Sequence, residues 1–276
     1  PYWESPWGKG RPGWHIECSA MVLRYLGESI DIHCGGQDLI FPHHENEIAQ
    51  SECCTGKPFA KYWLHNGYIN VNNTKMSKSL GNFFTVRDVA EKYGYPVIRF
   101  FILSAQYRSP INFSAEIIEQ SKSALERLWN CLENIGFYLE KAPDGPQTAE
   151  AKAQTDALRE KFVSEMDDDL NTAGGVGAIF ELVRQANELI GAGASRTDVE
   201  YVGNTLTELC ELMGLMPEKN SAGDEFIHEI EDAIERRAAA KKSKNYAEAD
   251  KIRAELLEKG VILEDTPKGT KYRIER

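Results

Sequence analysis

Apolar positions along the chain fall into two textures that change near residue 113. Over residues 1–112 the period shifts repeatedly. His15 to Leu26 sets Ile16, Met21, Val22, Tyr25 and Leu26 at helical spacing. Ser29 to His33 is a short strand candidate, which the turn signal Cys34-Gly35-Gly36 breaks. A helix then opens at Pro42, proline being favoured in a first helical turn, and runs to about Cys53. Strand, glycine turn and helix in this order predict a parallel α/β sheet. Tyr62 to Val71 alternates as a strand does and ends at Asn72-Asn73. Thr85 caps a predicted helix to Tyr93, and another is expected from Val97 to Gln106.

From Ser114 onward the pattern is helical. Ile117, Ile118, Ser121, Ala124, Leu125, Leu128, Trp129, Leu132, Ile135 and Leu139 form one stripe along a long amphipathic helix. The breaker cluster Ala142 to Pro146 follows, and helical patterns resume at 148–170, 174–191 and 197–213. Pro217 to Gly223 is a linker. Phe226 to Gly260 is helical again with a break near Asn245, and Val261 to Arg276 holds two short strand candidates around Thr266-Pro267-Lys268-Gly269. The fold class expected is therefore α/β followed by all-α, with domains at 1–112, 113–217 and 218–276.

Composition narrows this picture. With 42% hydrophobic residues the chain can build a core, and its formal charge of −11 argues against nucleic-acid binding by the surface as a whole. No stretch approaches the roughly 18 apolar residues that span a bilayer; the run near Ile98 to Leu103 contains Arg99, so no membrane partner is expected. No segment has the pattern of a secretory signal. The cysteines at 18, 34, 53, 54, 131 and 210 lack a disulfide spacing, which predicts reduced thiols and a cytoplasmic protein. The first residue is Pro1 rather than Met, which fits a fragment or a processed chain.

Candidate chemistry concentrates in the first region. Gly13-Trp14-His15-Ile16-Glu17-Cys18 is followed by Pro42-His43-His44-Glu45-Asn46-Glu47. Cys18, His43 and Glu47 bear a thiolate, an imidazole and a carboxylate, all ligands that zinc accepts. His43 and Glu47 lie four apart on a predicted helix and share a face. Spacing cannot choose between His43 and His44, and a buried cysteine beside a capping histidine is the alternative reading. Lys75-Met76-Ser77-Lys78-Ser79 offers cations and hydroxyls suited to a polyphosphate. Gly35-Gly36 before Asp38 can bring backbone close to a nucleotide, or can be an ordinary turn. Trp14 either walls a small-ligand pocket or packs in the core. Arg236, Arg237, Lys241, Lys242 and Lys244, with no acid among positions 236–244, form a candidate phosphate contact or a solvated helix face. Asp167-Asp168-Asp169 has the look of a cation site, though such acidic helix ends are more often structural.

These residues together resemble the bacterial cysteinyl-tRNA synthetases, class I aminoacyl-tRNA synthetases. The resemblance runs through Ser5-Pro6-Trp7-Gly8, Gly13 to Met21, Asp31 to Glu52, the lysine loop with Leu80-Gly81-Asn82, and Met166-Asp167-Asp168-Asp169-Leu170-Asn171-Thr172. It ends in Ala247 to Arg253 and Leu263 to Pro267. The lysine loop is common to many class I synthetases; the Cys18, His43 and Glu47 set is far more selective.

The resemblance implies the C-terminal part of a class I, Rossmann-like catalytic domain, then a helical bundle that braces the tRNA, then a small anticodon-binding unit. It implies zinc held by Cys18, His43 and Glu47, with a fourth ligand, a cysteine, and the nucleotide signature His-Ile-Gly-His both upstream of anything present here. Lys75 and Lys78 take catalytic roles, Lys78 with Gly36 and Asp38 contacting ATP and its Mg, and Trp14 with Asp38 lining the cysteine and adenylate pocket. Cys34 stands where relatives often have glycine. The implied activity is ATP-dependent activation of L-cysteine and its transfer to the 3′ end of cysteine tRNA, by a monomer, with the isolated chain inactive. Two rivals are the related cysteine ligase of mycothiol synthesis and a non-catalytic tRNA-binding fragment. Asn46 to Gln50 and the basic C-terminal module favour the tRNA enzyme over the first.

Overall fold

The computed structural model describes residues 1–76, 84–217, 224–266 and 269–274. Lys78, with Ser77, Ser79 and Leu80-Gly81-Asn82, lies outside the described residues, as do Pro267 and Lys268; of Lys75 only the backbone is described. The chain divides into two units, Pro1–Met216 and Pro217–Arg276.

The first unit opens with a solvent-exposed hairpin, β1 (Trp3–Ser5) and β2 (Gly8–Gly10), which no apolar alternation announces. Helix α1 (His15–Tyr25) leads to β3 (Ile30–Gly36). The expected break at Cys34-Gly35-Gly36 is absent. These residues continue the strand, because β3 pairs in parallel with β4 (Ala60–Asn66), Cys34 facing Leu64 and Gly36 facing Asn66. A Cβ on Gly35 would come within 2.7 Å of the His44 ring, so this glycine serves close packing rather than a turn. The chain turns instead at Gln37–Leu39 and through a wide turn at Ile40–His44, where Phe41 is extended. Helix α2 (Glu45–Thr55) therefore starts later than Pro42.

The strand predicted over Tyr62 to Val71 is two strands, β4 and β5 (Ile69–Val71), parted at Gly67, where a Cβ would meet the Ser109 backbone at 2.5 Å. β5 pairs antiparallel with β6 (Thr74–Lys75) and parallel with β7 (Ile111–Phe113). Between them, α3 (Val86–Tyr93) is closed at its start by a reciprocal Thr85–Asp88 capping box, and α4 (Tyr95–Leu103) ends short of Gln106.

The bundle consists of α5 (Ala115–Leu139), α6 (Ala149–Asp167), α7 (Thr172–Gly191) and α8 (Arg196–Met213). Its core sets Ile118, Leu125, Leu128 and Ile135 of α5 against Ile179, Leu182 and Ala186 of α7 and Val202, Leu206 and Leu209 of α8. Ser114, Thr148, Asn171 and Ser195 each accept a backbone N–H at the helix start, as short hydroxyl and amide side chains do. The buried Asp198 carboxylate accepts from Thr148 N at 2.8 Å and joins two of these helix starts.

The second unit packs α9 (Asp224–Lys242), α10 (Tyr246–Glu258) and the hairpin β8 (Val261–Thr266) and β9 (Gly269–Ile274). Ile230, Ala233, Ile252, Leu256, Val261 and Leu263 form its core. The basic cluster is not one free face. Arg237 is buried and donates two bonds to Asp265, at 2.8 and 2.9 Å, and Lys241 donates to the same carboxylate at 2.7 Å. Arg236, Lys242 and Lys244 remain exposed.

Hydrogen bonds from Arg237 and then Lys241 hold the Asp265 carboxyl well below the usual carboxylate range. A depressed folded pKa contributes stability that is complete above about pH 4 and fades as pH falls. Asp265→Asn is expected to cost about 1–3 kcal/mol at pH 7, since it strands a buried guanidinium while the carboxylate itself is partly solvated. It should also flatten the loss of stability between about pH 4 and pH 2. Hydrogen exchange at the β8 amides measures both; unchanged protection would refute the pairing's importance.

Candidate metal centre

Three elements converge where α1 and α2 lie side by side. Cys18 is one turn into α1, Glu47 lies in the first turn of α2, and His43 sits in the turn just before it. Ser19 donates to Gln50 at 3.1 Å and ties the two helices together next to the site. The ligand atoms of Cys18, His43 and Glu47 all lie within 4.8 Å of one another.

Glu47 is the centre of this arrangement and is completely buried. Its Oε2 accepts from His33 Nε2 at 2.6 Å. Its Oε1 is 2.7 Å from His43 Nε2, yet the contact lacks hydrogen-bond geometry and Oε1 has no hydrogen-bond partner. A buried carboxylate oxygen left in this state is costly unless a cation faces it. The Cys18 thiol is pushed up by burial first and by the Glu47 carboxylate second, so the thiolate is disfavoured until positive charge arrives. Two anionic donors and one imidazole converging on a common point fit a divalent, borderline-soft ion such as zinc, whose tetrahedral ligands stand ~3–4 Å apart. Among the described residues no fourth His, Cys, Asp or Glu joins this set, and Cys34 is exposed outside it.

The neighbouring rings hold the donors in place. His43 Nδ1 bonds His15 Nδ1 at 3.0 Å, which leaves Nε2 turned toward Glu47 and Cys18. His33, His44 and Glu47 also cluster, and one nitrogen of each histidine is already bonded within the protein. His33 Nε2 donates to Glu47, and His44 Nδ1 bonds His65 Nε2 at 2.8 Å. Burial lowers the pKa of both His44 and His65, which favours their neutral forms. The geometry thus brings His43, not His44, beside Cys18, a choice that spacing left open. His15, His33 and His65 escaped sequence reading; His33 and His65 gave a signal, as polar residues inside strand patterns.

Trp14 is 63% exposed, so it does not pack in the core; its ring lies 4.2 Å from that of His43 and forms an open wall beside it. Gly36 and Asp38 come together at the C-terminal ends of the parallel strands, where open α/β sheets bind ligands. A Cβ on Gly36 would collide with the Asp38 carboxylate, which folds back over this glycine. Lys75 ends β6, whose continuation is the lysine loop. The acidic run behaves as structure: Asp169 accepts from Tyr107 at 2.8 Å and from Arg108, and no metal cluster arises there among the described residues.

Comparison with known proteins adds to this geometry. Residues 1–123 match the family model described as tRNA synthetases class I (C) catalytic domain, 161–217 the DALR domain, and 224–273 the cysteinyl-tRNA ligase anticodon binding domain. The chain is 52% identical over 272 residues to a cysteine–tRNA ligase of Caldicellulosiruptor saccharolyticus, covering 98% of this chain and 58% of that protein. It is 52% identical over 277 residues to one of Clostridioides difficile, covering 99% and 59%. The chain thus spans less than two thirds of the length of these relatives. Among solved structures it resembles in fold the LeuRS–tRNA–LeuAMS ternary complex of Agrobacterium radiobacter K84, with TM-score 0.58 and 18% identity over 77% of this chain and 34% of that one. It also resembles Mycobacterium tuberculosis methionyl-tRNA synthetase bound by methionyl-adenylate, with TM-score 0.51 and 22% identity over 67% and 40%.

The contact between Gly35 and His44 yields a direct check. Gly35→Ala should force His44 away from β3 and cost about 1–3 kcal/mol, as overpacking does. Denaturant unfolding of the variant measures it, and a loss under about 0.5 kcal/mol would show that His44 moves aside freely.

Proposed function

The chain belongs to the cysteine–tRNA ligases, and on that premise we propose that it contributes to ATP-dependent activation of L-cysteine and its transfer to the 3′ end of cysteine tRNA. The observation that carries this reading is the buried Glu47 carboxylate, whose unpartnered oxygen faces Cys18 and His43. Those residues would hold zinc. Bound there, zinc supplies a soft centre for the substrate thiolate, and serine, whose hydroxyl is a poor ligand, is rejected by more than the roughly 10² that shape alone gives.

The chain's own residues do the remaining work. Trp14 shields the thiol end of the substrate from water on the His43 side. Asp38 offers a carboxylate at the strand ends to the ammonium or hydroxyl donors of cysteine and adenylate. Gly36, lacking a side chain, admits the nucleotide close to the backbone. Lys75 and Lys78 neutralise charge on ATP, carried with Mg, as pyrophosphate departs. The bundle braces the tRNA, and the second unit reads the anticodon, with exposed Arg236, Lys242 and Lys244 on the backbone and exposed Tyr246 available for stacking on a base. Tyr272 is partly buried against the second unit's core, which favours Tyr246 over it. The likeness of 224–273 to an anticodon-binding module speaks against ligation to an amino sugar. No helix among the described residues is long and apolar enough to cross a membrane.

Zinc uptake by the 276-residue chain tests the metal reading. Three protein donors should bind it in a chelator-sensitive way, Cys18→Ser or His43→Ala should weaken it at least ~10-fold, and His44→Ala should leave a measurable site. Equal zinc content in all four proteins, read by atomic absorption, would sink it.

Filter binding of tRNA across a salt series tests the second unit. Reversing the charges of Arg236, Lys242 and Lys244 should lower the slope of log K against log[salt] by about 2–3 if each meets a phosphate. An unaltered slope would remove them from the interface.

A further inference from the structure

Two consecutive non-glycine residues in the turn between α6 and α7, Asp169 and Leu170, hold left-handed backbone with φ of 57° and 54°. Side chains with a Cβ rarely keep this conformation unless their surroundings compensate it. Here the compensation comes from one short loop after α4. Arg108 reaches the Asp169 carboxylate with its guanidinium fork, Nη2 to Oδ1 at 2.9 Å and Nε to Oδ2. Tyr107 donates to the same carboxylate at 2.8 Å. Gln106 Nε2 donates to the Asp169 carbonyl and Thr172 to the Ala105 carbonyl, both at 3.4 Å.

The other side of that loop touches both edges of the nucleotide site proposed above. Gln37, between Gly36 and Asp38, donates from Nε2 to the Arg108 carbonyl at 2.6 Å. The Gly67 amide, just beyond β4, donates to the Tyr107 carbonyl at 2.7 Å. Past Pro110 the loop becomes β7, which pairs with β5, and β5 pairs with β6, whose last residue is Lys75 at the root of the lysine loop. Residues 105–110 are therefore a joint among the Gln37–Leu39 turn after β3, the lysine-loop root and the tip of the bundle.

We propose that Asp169 is a positioning residue for the nucleotide site: its carboxylate clamps residues 106–108, and through that joint fixes the Gly36–Asp38 turn relative to β6. The proposal rests on the function argued above for its consequence in catalysis, but its structural core does not. It also accounts for the left-handed pair, because that turn delivers carboxylate and carbonyl to the same loop.

Hydrogen exchange on the 276-residue chain tests the structural core. Asp169→Asn should speed exchange at Ile40, Gly67 and Ile111 about tenfold while α5 amides stay as they were; acceleration confined to residues 168–172 would overturn the proposal. Leu170→Gly relieves the backbone and keeps the carboxylate, so the joint should stay protected. If Leu170→Gly loosens it as Asp169→Asn does, backbone shape and not the clamp is responsible, and the proposal fails. In a protein of the relatives' full length carrying this chain, Asp169→Asn should lower kcat for cysteine-dependent ATP–pyrophosphate exchange about tenfold with KM for cysteine unchanged. Arg108→Lys, which keeps the charge and loses the fork, should fall between. A fall in kcat without loosening of the joint in the exchange experiment would refute the clamp and leave the function standing. If the unsubstituted protein shows no pyrophosphate exchange, the function fails, and the exchange experiment still decides the joint.

Discussion

A carboxylate with no exposed surface is the constraint around which the first unit is arranged. Glu47 needs compensation for both of its oxygens, and the fold supplies it from three directions. His33 comes from the middle of β3, His43 from the turn before α2, and Cys18 from α1. None of these positions can shift alone. His33 is fixed by the β3–β4 ladder, and His44, next to His43, is pressed onto a strand glycine that has no room for a side chain. The Ser19–Gln50 bond sets the approach of the two helices. One oxygen is answered by a hydrogen bond and the other is left facing two further donors, the polarity that a divalent cation completes.

The same principle, a charge that must be answered, appears twice more with a different outcome. In the second unit Arg237 is buried and satisfied inside the protein by Asp265. It is therefore structural, although it lies in the most basic stretch of the chain. At the junction of the α/β region and the bundle, Asp169 is satisfied by Tyr107 and Arg108 and so behaves as structure. Glu47 differs from both in that only one of its oxygens is hydrogen-bonded, the other lying 2.7 Å from His43 Nε2 without hydrogen-bond geometry. That asymmetry, more than the count of acidic or basic residues, separates a candidate centre from a scaffold.

Most helices were legible in the sequence because their determinants are local. The α5 stripe, the Thr85 cap and the break at Asn245 depend on residues within a turn or two, and they appear in the structure close to where the pattern put them. Glycine misled where it acted at long range. Gly35 and Gly36 signal a turn by themselves, yet they sit inside a strand because β4, from some thirty residues later, pairs with them, and Gly35 leaves room for the His44 ring. The hairpin at Trp3–Gly10 has no apolar alternation to reveal it.

The chemistry divides in the same way. Sequence by itself determined which residue types were available, a thiol and a carboxylate near a pair of histidines, and that they lay on or beside helices. Only the tertiary structure decided that His43 turns its Nε2 toward Glu47 while His44 is engaged by His65, that Trp14 stands in solvent against His43, and that Arg237 is buried against Asp265 with Lys241 bonded to the same carboxylate at the surface. A side chain's neighbours within a few positions fix its helical face. Its charge partner is fixed by what the fold brings from far along the chain, and a pattern of local periods carries no information about that distance.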